Sequence, residues 1–577
     1  MVTSIDEESE ELDSVSELST STSMQSQELS SCTSMCTSER KISVCSTSKN
    51  PLPKFQIQPS IDKAFHKIET YRDKQPFSMV EDDEFRKFLS IVAPLYTVPC
   101  RKTITKRLDE KYELLSSKIR TMLSKIDHLC LATDIWTEPF NTRSYIGITV
   151  QIINFETMQL ENLSLGIKEL EESHDGNYIS KIISEILDEW HIQINSVVAV
   201  ITDNASNIKK AVRDTFGRKR HIPCFAHTLN LVIQDAIATT PEFQAIVKKV
   251  KSIVTYFKRS VKATNALNEL QTSNLENDQN ILKLKQGCET HWNSLFYMIK
   301  RFIQLANLVN TVLLTLPRKK HDDIPEMTTH TDLQILKDIC AILRPVERVT
   351  TEISGELYVT CSKIIPIISC LIRTLEKLDI THEISERFYK NVLLQLQNRF
   401  RGKDSNNETN SFLSISTLLD PRFKKLHFSS SLAVSTAISK IFQLMKNNQI
   451  ETQCNVEENI NIPRKEDLWN IHDELIASSS LNSDEPGGIP VELRQFLNAN
   501  VVSRSEDPFK IWQKLKDVYP MVYEVAMKYF VIVGTSVPSE RLFSAAGNII
   551  SMKRSRIKGK RASQIIFLGS LLKRYWK

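Results

Sequence analysis

Glycine is scarce in this chain, 13 in 577 residues, and nowhere do glycines gather ahead of a Lys-Ser/Thr pair. Without such a loop there is no backbone cradle for a nucleoside triphosphate, so NTP-driven chemistry is not expected. No apolar run is long enough to cross a bilayer, and no membrane partner is expected. The opening residues, Met1 to Glu8, lack the basic-then-apolar order of a signal peptide. The 11 cysteines are odd in number and scattered. That favours reduced thiols in cytosol or nucleus over a disulfide framework. A net charge of +5 supports no whole-molecule electrostatic argument, but its distribution is uneven. The chain begins acidic, and from Ser551 to Lys577 it carries bases and no acid.

What is present suits a soluble globular protein: 41% apolar and 25% charged residues, with length for three or four domain-sized pieces. Residues 1–60 are rich in Ser, Thr and Glu and read as a disordered tail, since they cannot bury enough surface to offset chain entropy. Cys32, Cys36 and Cys45 lie there without a fourth ligand at finger spacing, so zinc is not expected. Residues 61–127 read as a helical N-terminal region, a candidate DNA-binding or intermediate domain. Ile104, Leu108, Tyr112, Leu115, Ile119 and Met122 form one apolar stripe. The bases crowding its start (Arg101, Lys102, Lys106, Arg107, Lys111) read as a solvated face before they read as phosphate contacts.

The most informative stretch is 128–237. A short apolar run, Leu129 to Thr133, ends at Asp134; two β-rich stretches and a helix from about Ile179 to Trp190 follow. Val197 to Ile201 is a continuous apolar run, as a buried parallel strand should be, and it ends at Thr202-Asp203. Strand, strand, strand, helix, strand fits a mixed α/β sheet whose first and fourth strands are neighbours. Both aspartates would then meet beyond the strand ends, where ligands of such sheets gather.

Two adjacent carboxylates repel unless protons or cations lie between them. Oxygen-only ligands with open positions suit Mg²⁺ or Mn²⁺, and a pair of such ions can stabilise both oxygens of a phosphodiester displacement. Glu540 would supply a third carboxylate. It sits in a short helix framed by Ser536 as cap, Pro538 near the start and Gly547 as stop. The competing reading is that Glu540 only complements the helix dipole.

The blocks TDIWT around Asp134, TDNASN around Asp203, PCFAHTLNL around Cys224 and His227, HWNS around Trp292, and SERLFSAAGNIISMKRSRI around Glu540 occur in this order. Together with LLDPRFK (418–424) and DPFKIW (507–512), they resemble the hAT transposase superfamily, in its BED-finger-related branch. The resemblance runs from about residue 78 to the end. It implies an RNase H-like core, first part 128–237, interrupted by an all-helical insertion at 238–500 and completed by a C-terminal dimerisation segment at 501–577. It also makes Asp134, Asp203 and Glu540 a catalytic, metal-binding triad. Trp136 and Trp292 match positions that hold flipped bases in the family, a role aromatic faces can fill; without the family, either reads as a core anchor. The partners it implies are DNA and a second copy of the chain, and the compartment is the nucleus.

Two departures stand out. His291 precedes Trp292 where the family usually has arginine, and histidine offers one contact where arginine grips a phosphate with two. No BED finger is recognisable. Both leave open an adopted, non-cleaving DNA-binding regulator. The basic run with Lys553, Arg554 and Arg556 reads as a DNA contact, a nuclear-import signal, or both. Cys224-x-x-His227 reads as structural packing, ahead of a zinc site shared with Cys288 and His291. Ile565 to Leu568, Leu571, Leu572 and Tyr575 read as a helix apolar nearly all round, buried within the fold or against a second subunit; the resemblance favours the second.

Overall fold

The computed structural model of the chain describes residues 76–138, 142–274, 281–287, 292–316, 324–355, 359–402, 406–454, 490–550 and 557–576. The tail expected at 1–60 lies outside them. After a short 3-10 turn come α1 (Asp83–Val92) and α2 (Arg101–Leu123). Leu108, Tyr112, Leu115 and Ile119 of the expected stripe are buried.

The sheet is built from β1 (Leu129–Thr137), β2 (Ser144–Asn154), β3 (Gln159–Leu170), β4 (Val197–Thr202) and β5 (His221–Pro223). Its spatial order is β3-β2-β1-β4-β5. The β1–β2 and β2–β3 pairs are antiparallel, while β1–β4 and β4–β5 are parallel. The first and fourth strands are therefore neighbours, as expected. Helices α3 (Gly176–Glu189) and α4 (Ser206–Phe216) lie in the connections on either side of β4. Asp175 caps α3 by accepting from the N–H groups of Asn177 and Tyr178.

One detail departs from the sequence reading. β1 does not stop before Asp134 but runs on to Thr137, because β2 pairs with it as far as Thr137↔Ser144. The β4 side of the ladder ends earlier, at Ala132↔Ile201. Asp134 is thus in a strand with one free edge.

The sheet has two cores because successive side chains point to opposite faces. Leu129 and Leu131 join the core shared with α2, α3 and α4. Cys130, Ala132, Ala199 and Ile201 join the larger core formed with the helices that follow. Those helices begin with α5 (Phe225–Ala238), α6 (Pro241–Arg259), α7 (Val261–Asn274), α8 (Trp292–Thr315) and α9 (His330–Ile353). They continue with α10 (Ile364–Leu375), α11 (Glu383–Phe400), α12 (Ser411–Leu419), α13 (Ser431–Cys454), α14 (Val491–Asn498), α15 (Pro508–Leu515) and α16 (Pro520–Phe530). Thr240-Pro241 opens α6, with proline in the first turn. No helix among the described residues is long and apolar enough to cross a membrane.

LLDPRFK and DPFKIW, more than eighty positions apart, meet in this helical part. Asp420 is fully buried, accepts from Ser362 Oγ at 2.6 Å and pairs with Arg422 at 2.6 Å. Lys424 Nζ donates to the carbonyls of Phe496 and Ala499, satisfying the C-terminal end of α14. The Trp512 ring N–H donates to the Leu419 carbonyl at 3.0 Å. These blocks are a structural clip.

The chain then returns to the sheet through α17 (Val537–Ile549) and α18 (Gly559–Ser570). Gly547 does not stop α17, which continues to Ile549 and closes when Ile550 N–H bonds the Ala546 carbonyl. The expected cap is also missing: the Ser536 side chain accepts no helix N–H. Phe567 of α18 lies against Tyr112 and Trp190, with ring centroids at 5.4 and 5.0 Å. Ser563 Oγ accepts from Ile167 N–H of β3. The apolar residues of α18 are thus buried within their own chain, the first of the two placements expected for them. Burial against β3 and α2 already removes them from water.

Candidate active site

Asp134 and Asp203 share one face of the sheet. Each continues the alternating series of its strand (Cys130, Ala132, Asp134; Ala199, Ile201, Asp203), and the two strands are paired in parallel up to Ala132↔Ile201. Asp203 sits just past the end of β4, and its Oδ1 accepts from Ala205 N–H in the turn into α4. The next residue, Asn204, has φ 76°, a left-handed conformation that asparagine tolerates and that turns the chain sharply away from the sheet. Asp134 Oδ1 accepts from its neighbour Ile135 N–H, at 2.8 Å.

Glu540 arrives from the far end of the chain, and three contacts bring it there. Opposite Asp134 on β2 is Gly147. A Cβ on Gly147 would sit 2.8 Å from Leu542 and 2.9 Å from Phe543 of α17, so the absent side chain lets the helix lie directly on the strand. Trp136, two residues past Asp134 on the same face, stacks on Phe543 with ring centroids 5.9 Å apart, and on Tyr145 at 6.1 Å. Cys224 is the third. Its buried thiol accepts from His227 N–H at 3.4 Å, capping α5, and from Ser536 N–H at 3.3 Å, just before α17. Cys224 N–H in turn bonds the Thr202 carbonyl, next to Asp203. One residue thus links the end of β4 to the start of the Glu540 helix.

The electrostatics reflect this convergence. The Asp134 carboxyl is pushed up to about 7, first by burial and then by the Asp203 carboxylate, with Glu540 adding a further push. Its own hydrogen bond from Ile135 works the other way. Burial likewise raises the Cys224 thiol, keeping it a neutral acceptor. His221 on β5 is held down to about 4 by burial and by Lys209, and its Nε2 meets Thr202 Oγ1 at 2.9 Å.

The donor set fits a hard divalent cation: three carboxylates, oxygen only, whose mutual repulsion a cation would relieve. Among the described residues, neither Asp134 nor Asp203 has a cationic side chain within salt-bridge distance. No three Asp, Glu, His or Cys side chains there are already gathered into a ligand cage. The acids are near enough to feel one another, yet their ligating geometry is not preassembled.

The remaining expected site residues divide. Trp292 is a core residue, only 5% exposed, tilted against Phe296, with its backbone N–H bonded to Asn230. In this arrangement the apolar side of α8 draws the ring inward, as a core anchor. Trp136 is partly buried and serves as the clasp for α17. His291, Lys553, Arg554, Arg556 and Cys288 lie outside the described residues. Gly147 and the Cys224–Ser536 link were not anticipated. The first had a signal, a lone glycine inside a β-branched strand of a glycine-poor chain; the second had none.

A mixed sheet ordered 3-2-1-4-5, with one aspartate in and one just past its central parallel strands and a late helix returned to it, defines an RNase-like α/β class. Family models agree with that class. The ZBED1 RNase-like domain matches residues 132–224, the ZBED1 RNase-like helical domain 222–342, and the hAT family C-terminal dimerisation region 492–572. The chain belongs to the hAT superfamily, on the side related to BED-finger proteins; no BED finger is among the matched models. It is 24% identical over 517 residues to human Zinc finger BED domain-containing protein 4, covering 86% of this chain and 42% of that one. To human Zinc finger BED domain-containing protein 6 it is 25% identical over 557 residues, 87% of this chain and 54% of the relative. The Transposable element Hobo transposase of Drosophila melanogaster is 26% identical over 345 residues, 56% of this chain and 48% of the relative. The chain spans about half the length of the curated relatives it matches.

Proposed function

We propose that this chain is a nuclear hAT-type transposase, or a protein derived from one, that binds DNA and pairs with a second copy of itself. Asp134, Asp203 and Glu540 would form its DDE-type site for strand cleavage and transfer. In this reading the helices from α6 to α14, within residues 238–500, are an insertion in an RNase H-like domain that residues 501–577 complete. The carrying observation is that Asp134 senses both Asp203 and Glu540, although the last two are more than three hundred positions apart. Carboxyls whose ionisation is opposed by burial and by a neighbouring acid are a mark of functional sites.

Mg²⁺ or Mn²⁺, held by the three carboxylates, would polarise the phosphodiester and lower the pKa of the attacking water. The chain's own contribution is placement. Parallel β1 and β4 set the two aspartates side by side, and Gly147, Trp136 and Cys224 fix the helix that carries Glu540. Burial around Asp134 lowers the local dielectric and strengthens its pull on any cation.

A second reading has an observation in its favour. Trp292 is packed in the core, so one of the two aromatic groups expected to hold bases is occupied. That suits an adopted DNA-binding, dimerising regulator that does not cleave.

Incubating the purified chain with supercoiled plasmid and Mn²⁺ or Mg²⁺ tests the choice. The nuclease reading expects nicked circles that disappear with Asp134→Ala and with Glu540→Ala. Wild-type protein that binds plasmid but leaves it supercoiled under either metal selects the regulator.

A further inference from the structure

Beyond the acids, the chain carries an unexplained basic stripe along the edge of the sheet. It begins in α4 with Lys209 and Arg213, spaced i,i+4 and therefore on one face of the helix. It continues through the turn after Gly217 with Arg218, Lys219 and Arg220, immediately ahead of β5. Lys209, Arg213, Arg218 and Lys219 are exposed. One acid, Asp214, interrupts these five bases, and it sits 3.8 Å from its neighbour Arg213. Among the described residues that is the ion pair recorded for the stripe. Arg220 donates to the Ile194 carbonyl. Lys210 is excluded, because its side chain lies over Gly176, on the side of the Asp175 carboxylate.

Placement gives the stripe a direction. α4 leaves the sheet directly after Asp203 and returns through the basic turn to β5, which is parallel to β4 at the sheet's edge. Lys209 is therefore at the carboxylate end and Arg218 to Arg220 at the opposite end. With 11 residues, α4 is roughly 16 Å long at about 1.5 Å per residue. That is the axial length of about five base pairs, at about 3.4 Å per phosphate on one strand.

Charges beside an edge strand also discourage sheets from pairing edge to edge, and a short strand such as β5 gains from that. That role needs one or two charges at the edge strand itself. It does not account for a row that starts a helix-length away, beside Asp203.

We propose that this stripe seats the sugar-phosphate backbone of duplex DNA and leads it along the sheet edge to the Asp134–Asp203 site. The proposal rests on the reading of the chain as a DNA-binding protein, but not on cleavage. Each phosphate neutralised by a base releases counterions, so binding through this surface must be steeply salt-dependent.

The test is a salt titration of binding to a duplex of about thirty base pairs, in EDTA, using the full chain. Lys209→Ala/Arg213→Ala/Arg218→Ala/Lys219→Ala is expected to weaken binding roughly 10- to 100-fold at about 0.1 M salt. It should also flatten the slope of log K against log salt by about 2 to 4. A charge-conserving variant, Lys209→Arg/Arg213→Lys/Arg218→Lys/Lys219→Arg, should keep the slope, which separates lost charge from lost fold. Removing the exposed bases Lys248, Lys258, Arg259 and Lys262 of α6 and α7 should leave the slope nearly unchanged.

An unchanged slope in the first variant, or an equal loss in the α6–α7 variant, overturns the proposal. So does loss of binding to anionic phospholipid vesicles with duplex binding intact. If wild type binds duplex through the stripe yet never nicks plasmid, the cleavage reading fails while the surface stands. If wild type binds no duplex at all, the surface and the DNA-binding reading fail together.

Discussion

Asp134→Asn should stabilise the metal-free protein, and the gain should depend on pH. The folded carboxyl titrates near 7 against an ordinary 3.8, because burial and Asp203 oppose its ionisation. A carboxyl raised in the folded state disfavours folding once it must ionise. The cost is absent below about pH 4, grows as pH rises, and is complete above about pH 7. At about 1.4 kcal/mol per pH unit, that span corresponds to about 4 kcal/mol as an upper bound. Relaxation of the site should leave about 2 kcal/mol, while asparagine keeps an acceptor for Ile135 N–H.

Urea denaturation in EDTA at several pH values measures this directly. The variant should match wild type near pH 4 and exceed it by about 2 kcal/mol near pH 8. Millimolar Mg²⁺ should then raise wild type and leave the variant unmoved, since binding to the folded state alone adds stability. A variant no more stable than wild type near pH 8, or a difference that does not vary with pH, would refute the argument that the acids crowd one another.

Three further outcomes follow from the packing. Gly147→Val should cost about 1–3 kcal/mol in urea midpoint analysis, because the new side chain meets Leu542 and Phe543; a neutral result would mean that α17 is not held against β2. Cys224→Ala should cost about 2–3 kcal/mol by leaving the buried Ser536 N–H without its acceptor, with Cys224→Ser recovering part of the loss in thermal melts. Asp420→Ala should cost about 3–5 kcal/mol by stranding the buried Arg422 guanidinium; a melting temperature within a degree or so of wild type would sink the structural reading of LLDPRFK.

Much of the sheet was legible because its strands are locally distinctive. The apolar run Val197 to Ile201 can only be a buried strand or a piece of helix, and the aspartate closing it pointed to a strand end. The adjacency of β1 and β4 followed from element order alone. Boundaries were less secure. β1 extends past Asp134 because β2 is long enough to keep pairing with it, which depends on the partner and not on β1's own residues. Gly547 looked like a helix stop, yet nothing at its position demands a left-handed turn, and the hydrogen-bond ladder simply continues. The partners of distant groups were the least legible. Neither Cys224 nor Ser536 carries any mark of the other, and the return of Glu540 came from family resemblance, not from any local pattern. The place of Trp292 was open for a related reason: whether a tryptophan at a helix start faces core or solvent depends on what packs there.

The placement of α18 also has a consequence for how the protein is made. β3, an outer strand of the sheet, gets its cover from α18, far along the chain from it, and beyond that helix Tyr575 Oη also donates to the buried Glu161 carboxylate at 2.7 Å. The Ile167–Ser563 contact joins positions 396 apart, so a growing polypeptide cannot cover β3 until the whole intervening stretch has been made. Copies interrupted before α18 would thus present a bare apolar strand to chaperones and proteases.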